Sequence, residues 1–420
     1  MRRFILGTVF AAGFATVAHA ADLTVWGLQA FNQAADDYIG QMVKDFGKSK
    51  GIDAEYVVVP ATVINDRLAA SFQGNAPPDA FMQVSGRAQF YISNGLVVPL
   101  DDVLAEIRKV DGGIAENQLP AGRQGDDYLA LPLEVDVDPM FARTDLLAEI
   151  GKPVPTTWDE LREDAKEIQA KHPQISGFGM TVSNTNDAEG QIRNAIWSFG
   201  GKVMAEDGKT VVFDSPETRA AYQFVADMFL KDRIIPRSAL TWDDSGNNIA
   251  FQTGRAAFVI NPPSIWYWMK DNDQKLLANS VMISVPKGPG PKGQIGNAVG
   301  SWVWQVSKAS KHQDWLRYFY QPDHYAAVIN KVGGRWAPIY PKMFDTLPLF
   351  SDNPAFKDFK SLANNGFLDG YAGPPNALSG KVADATILTK VLQKVLVDHT
   401  PVDQAVPWGQ QQIEDLAKGS

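Results

Sequence analysis

Three acids alternate with two valines in Glu134-Val135-Asp136-Val137-Asp138. A period of two puts all three carboxylates on one face of an extended segment. Like charges so placed repel unless hydroxyls, a cation or an arginine satisfies them, so the stretch points to binding. Cleavage of a glycosidic bond needs two carboxyls on opposite sides of that bond, which one strand face does not offer. Tryptophans supply the complementary chemistry, because an indole face covers the apolar side of a sugar ring. Trp26 ends a strand, Trp242 and Trp266 follow turn or strand punctuation, and Trp302 and Trp304 alternate with Val303. The last two share a face, so one of them is expected in the core.

Side chains that reach hydroxyls in pairs complete such a set. Gln29 follows the first strand, and Gln83, Ser85 and Arg87 follow the third. Open α/β sheets bind at the carboxyl ends of their strands, which favours this second group. Asn261 and Ser264 flank Pro262-Pro263, Arg335 rides on Gly333-Gly334, and Asn376 follows Gly373-Pro374-Pro375. Arg87 and Arg335 suit a carboxylate or a vicinal diol. The competing readings are core packing for Trp26, a solvated loop for Gln29 and a structural ion pair for Arg87.

Composition removes other classes. The 420 residues contain no cysteine, which excludes thiolate metal sites, thiol nucleophiles and disulfides. His172, His312, His324 and His399 stand apart without metal spacing, and no H-E-x-x-H occurs. Neither a cofactor nor a metal is expected. Net charge is −9, with no basic run, so nucleic acid is not an expected partner.

The start of the chain reads as an export signal. Arg2 and Arg3 precede the apolar stretch Phe4 to Val17, and Ala18-His19-Ala20 is a small-x-small cleavage site. Residues 1–20 hold no acid, so their loss would take the net charge from −9 to −11. No cysteine follows to carry a lipid, and no later segment has eighteen uncharged apolar residues. The expected product is a monomer released into the periplasm.

The elements that must position these groups alternate. Leu23 to Gly27, Ala54 to Val59 and Asp79 to Val84 read as strands, separated by helical patterns at 34–46 and after Thr62, a candidate cap. Thr157-Trp158-Asp159-Glu160 is a capping box, and Ser215-Pro216 places a cap and a first-turn proline. Strands follow at 256–260 and 281–285, with helices expected from Asp314 to about Val328 and from Ala383 to Val397. Such alternation specifies an α/β fold with largely parallel sheets. A single core stops growing near ~250–300 residues, so two lobes fit the length.

Seven segments, in order, resemble the extracellular solute-binding proteins of ABC importers, in the large sugar-binding group. They are Leu23-Thr24-Val25-Trp26, Asn75 to Phe81, Asn94 to Leu100, Leu131-Pro132-Leu133, Pro155 to Leu161, Phe251 to Phe258 and Gly300-Ser301-Trp302. The resemblance implies the periplasmic-binding-protein fold: two α/β lobes around a ligand cleft, crossed more than once by the chain. It places lobe one at 21–135 and 285–340 and lobe two at 138–280 and 345–418, with crossings near 135–138, 280–285 and 340–345. It implies ligand contacts at Gln83, Gly86, Asp136, Gly300, Ser301 and Trp302, and Glu134 is expected as a further contact from the same strand face as Asp136. Ser264 stands where the family carries a stacking tryptophan, and Trp266 comes two residues later. Phe141-Ala142-Arg143-Thr144-Asp145 departs from the family's Tyr-Asn-Lys-Asp-like segment, keeping the acid. The partners so implied are a small solute, first a neutral sugar or polyol, and the membrane permease of the importer. An anionic sugar derivative held by Arg87 and Arg335 is the alternative, as is a quaternary ammonium held by the acids and tryptophans. A secreted glycoside-active enzyme is the rival of another class.

Overall fold

The strand Leu23–Leu28 pairs in parallel with Ala54–Val59 on one side and Ala80–Val84 on the other. Helices Gln33–Lys50 and Ile64–Gln73 make the two crossovers such parallel pairing requires. Trp302–Val306 and then Leu131–Pro132 add antiparallel edges, giving a five-stranded mixed sheet. A second sheet has four strands, in the order Ser280–Ile283, Met140–Arg143, Ala256–Ile260 and Ser176–Phe178. Only its last pair is parallel. The computed structural model describes residues 21–30, 32–60 and 63–418. The export signal and the Thr62 cap expected from the sequence lie outside those residues.

Two buried cores form, and Phe141, Val259 and Met282 carry one face of the second sheet into the first core. Val25, Phe81, Trp304 and Trp315 are buried around the first, and Trp158, Phe178, Trp197 and Tyr222 around the second. These are two α/β lobes. Local chemistry sets their helices: in Trp158–Lys171 both halves of the Thr157–Glu160 capping box form, and Ser215 caps Pro216–Leu230. Two expected helices are each broken once. Asp314–Phe319 and Pro322–Val332 are separated where Pro322 lacks the N–H to continue. Ala377–Asp384 and Ile387–Leu396 are separated at Thr386, whose φ is 48°. A final helix, Val402–Lys418, contains Pro407.

Three stretches of chain lie side by side between the lobes. Asp136–Val137 pairs antiparallel with Val299–Gly300, and the Val299 N–H donates to the Phe367 carbonyl at 2.9 Å. The chain does not leave the second lobe at 280–285. Lys287 bridges to Thr157, the Gln294 N–H donates to Ser198 O at 2.9 Å, and the Ala298 N–H donates to Asn194 Oδ1 at 2.7 Å. Beyond 340 the chain touches both lobes: Phe356 stands edge-on to Trp266 at 4.9 Å, and Asn117 Nδ2 donates to Ala363 O at 2.9 Å.

Candidate functional site

The ends of both sheets and the paired segments between them face one cleft. It has two chambers, of about 430 Å³ and about 610 Å³, that share Asn186 and Trp302 as lining. Both volumes suit a small organic solute.

In the first chamber the strand Ala80–Val84 runs straight into the helix Ser85–Ser93, and Gln83, Ser85 and Arg87 all line the cavity. The Ser85 N–H donates to the Ser301 carbonyl at 2.9 Å, tying that turn to the strand opposite. Gln83 is buried and donates from Nε2 to Asn65 Oδ1 at 2.9 Å. Gly300 sits opposite Asp136 in the short ladder, and a Cβ added there would meet nothing within 4 Å, so it borders open cavity. Asp136 and Asp138 also line the chamber, as the alternation requires. The other lobe contributes Asn186, Glu189 and Arg193 from the helix Asn186–Ser198, together with Asp369, Gly380 and Asp384. Arg87 Nε lies 2.6 Å from Asp384 Oδ1, and Arg193 pairs with Asp369.

Trp302 separates the chambers. Its ring takes the Arg335 guanidinium at 5.3 Å and the edge of Trp336 at 5.3 Å. Arg335 lines the second chamber with Asp187, Asn261, Ser264, Tyr267 and Trp268. Asn261 Nδ2 and Asn248 Nδ2 both donate to Ser264 Oγ at 3.1 Å, which fixes the start of the helix Ser264–Asn272.

Asp136, Asp138 and Asp187 are half-buried at the cavity wall, and Glu134 is fully buried. Burial raises Asp136, against the pull of Arg335. Burial pushes Asp138 well above the carboxylate range, and the charges of Asp136 and Asp187 add to the effect. Burial, then Asp244, takes Asp187 to about 7. Glu134 lies behind the cleft rather than in it. It is fully buried, accepts the Trp302 N–H at 2.6 Å, and burial followed by Asp136 raises it well above its ordinary value.

Besides Glu134, five expected contacts are elsewhere. Trp26 packs under the Arg67 guanidinium at 5.0 Å, on the helix-covered side of its sheet. Gln29 is exposed beyond the end of that strand, and Leu28 faces the cavity instead. The Trp242 ring folds back over Gly246, where an added Cβ would meet it at 2.4 Å. Trp266 packs edge-on against Phe356 at 4.9 Å, and the next two helical positions turn Tyr267 and Trp268 to the cleft. Asn376 caps Ala377–Asp384 and donates to Gly208 O at 2.7 Å. Trp304 is the core member of its pair.

Sequence reasoning missed Asn65, the Asn186–Arg193 face, Asp369 and Asp384. The Thr185 cap was a readable signal that a helix N-terminus opens there. Two glycine runs match enzyme spacings without enzyme geometry. Gly47-Lys48-Ser49-Lys50-Gly51 closes the first helix, with Ser49 Oγ donating to Phe46 O at 2.7 Å. Gly288 to Gly293 forms a turn that opens no helix.

Among the described residues no group of histidine and acidic side chains is arranged to hold a metal, and no helix is long and apolar enough to cross a membrane.

Comparison with known proteins gives the family and the fold. The model of the bacterial extracellular solute-binding protein family matches residues 30–326. A Brucella abortus (strain 2308) protein named only as a binding protein is 24% identical over 302 residues, covering 70% of this chain and 71% of that one. The maltose-bound MalE3 structure of T. maritima aligns with a TM-score of 0.77 at 21% identity, covering 94% of this chain and 99% of that one. A Thermotoga lettingae solute-binding protein bound with α-D-tagatose gives 0.79 at 18% identity, with coverage of 94% and 99%. An Agrobacterium radiobacter K84 solute-binding protein in complex with ribitol gives 0.77 at 20%, with coverage of 94% and 98%. The structural likenesses establish the two-lobed fold, and the family match covers most of the chain. The chain belongs to the bacterial extracellular solute-binding proteins.

Proposed function

We propose that the chain is the periplasmic receptor of an ABC importer for a carbohydrate or polyol, which it binds between its lobes and presents to the membrane permease. One observation carries the reading. Hydrogen-bonding side chains from both lobes converge on a cavity beside the indole of Trp302, as a polyhydroxylated solute with one apolar face requires. Gln83, Ser301 and Asp136 would meet hydroxyls from one side and Asn186 from the other. The sugars and polyol held by the aligned structures agree with this chemistry.

Export by residues 1–20 and a monomeric state belong to the same reading. So does a hinge at the three adjacent passages 136–137, 298–300 and 367, whose few hydrogen bonds allow the lobes to part. Solute shifts the population towards the closed form only by contacting both lobes at once. No bond in the solute is made or broken.

The test is a thermal-shift and calorimetric screen of refolded, ligand-stripped protein against neutral monosaccharides, disaccharides and polyols. A binder present at about 100 times its Kd should add ~2.7 kcal/mol of stability. Binding of peptides or amino acids alone, with silence across carbohydrates and polyols, would refute the proposal.

A further inference from the structure

The charges in the cleft do not balance. In the first chamber Asp369 is matched by Arg193 and Asp384 by Arg87. Glu189 accepts from the Leu388 N–H at 3.2 Å and from the Thr389 N–H and hydroxyl at 2.8 Å, so it is committed to its own lobe. Apart from the exposed Asp244 and Asp271 at the rim of the second chamber, four carboxyls remain, on Glu134, Asp136, Asp138 and Asp187. They share the field of Arg335, supplemented by Arg193 at Asp138.

Asp136 and Asp138 project into the first chamber from one strand face. Asp136 Oδ1 is buried and accepts no hydrogen bond among the described residues. Ser301 lines the same wall, is 3% exposed, and its Oγ is likewise without a hydrogen-bond partner among the described residues.

We propose that the solute carries an amine: the first chamber seats the ammonium group of an amino-substituted carbohydrate or polyol against Asp136, Asp138 and Ser301. The proposal rests on the carbohydrate reading above and narrows it. A hydroxyl donates one hydrogen bond and does nothing to favour ionisation of a carboxyl raised by burial. An ammonium donates three and cancels a charge, in a setting where water cannot do so. The same wall disfavours anionic derivatives, because a further negative charge would face these acids across a low-dielectric cavity. Trp302, Tyr267 and Trp268 then serve the uncharged part of the molecule.

Proton linkage gives the proposal a second readout. Carboxyls that burial raises in the free protein must ionise to receive an ammonium, so binding should release protons. Neutral sugars should release fewer.

The experiment is calorimetry on stripped full-length protein with glucose, glucosamine and N-acetylglucosamine, and with sorbitol and 1-amino-1-deoxysorbitol. Titrations at pH 5 and pH 7 use two buffers of different ionisation enthalpy. An amine should bind at least tenfold tighter than its neutral counterpart, more so at pH 7, with protons released. N-acetylation should remove the advantage in the unaltered protein, and Asp138→Asn should narrow it. Equal or tighter binding of the neutral partners would overturn the amine while leaving the carbohydrate receptor standing. Failure of both sets, with binding of non-carbohydrate solutes alone, would overturn both.

Discussion

At the scale of single residues, the two tryptophans that attract most notice in the sequence separate into different roles. Trp302 stands between the chambers under Arg335, whereas Trp242 is folded over Gly246 and packs against both cores. Trp302→Ala should therefore weaken solute binding ~10- to 100-fold in a calorimetric titration. Trp242→Ala should lower stability by about 3 kcal/mol in a denaturant melt while leaving Kd within a factor of two or so. An unchanged Kd for the Trp302 variant would remove the indole from the site. Composition alone does not distinguish these rings. Alternation showed that Trp302 and Trp304 share a face but not that the first stands at the cleft end of its strand. Asp136, by contrast, was readable from Glu134-Val135-Asp136-Val137-Asp138, because strand periodicity is local and acids on a buried face need a reason.

At the scale of elements, the helices Ser85–Ser93 and Ala377–Asp384 meet across the cleft, backbone against backbone at Gly86 and Gly380. A Cβ added to Gly380 would stand 2.2 Å from the Gly86 carbonyl oxygen, and the Arg87–Asp384 pair closes beside it. Backbone cannot yield at that distance as a flexible side chain can. Gly380→Val should keep the lobes apart, enlarging the radius of gyration of the loaded protein in small-angle scattering and weakening binding ~10-fold or more. A variant that closes and binds normally would contradict this contact as the seal. Strands and capped helices of this fold were legible, since Thr157–Glu160 and Ser215-Pro216 carry their own boundaries. The breaks at Pro322 and Thr386 were harder to read within continuous amphipathic patterns. Val402–Lys418 escaped because Pro407 argues against a helix that its first turns nevertheless tolerate. The face Asn186–Arg193 was invisible as a site because its partners come from distant segments.

At the scale of the whole molecule, the cleft sets how stability depends on pH. Asp187 is raised to about 7 by burial, so the folded state holds a proton that the unfolded chain, with an ordinary carboxyl, releases near pH 4. Its contribution is fully present below that lower value and is lost as pH rises through 7. Asp187→Asn should therefore melt higher than the parent at pH 7.5, by ~2 kcal/mol in stability, with the difference vanishing by pH 4. A difference independent of pH would show that the carboxyl is not held neutral.

The central claim is that solute binds by touching both lobes at once. Hydrogen–deuterium exchange of the stripped and carbohydrate-loaded protein tests it directly. The amides of 83–87 and 299–302 from one side, and of 186–193 and 380–384 from the other, are expected to slow together on loading. Protection confined to one lobe, or to the outer surface away from Asp136 and Trp302, would contradict the account.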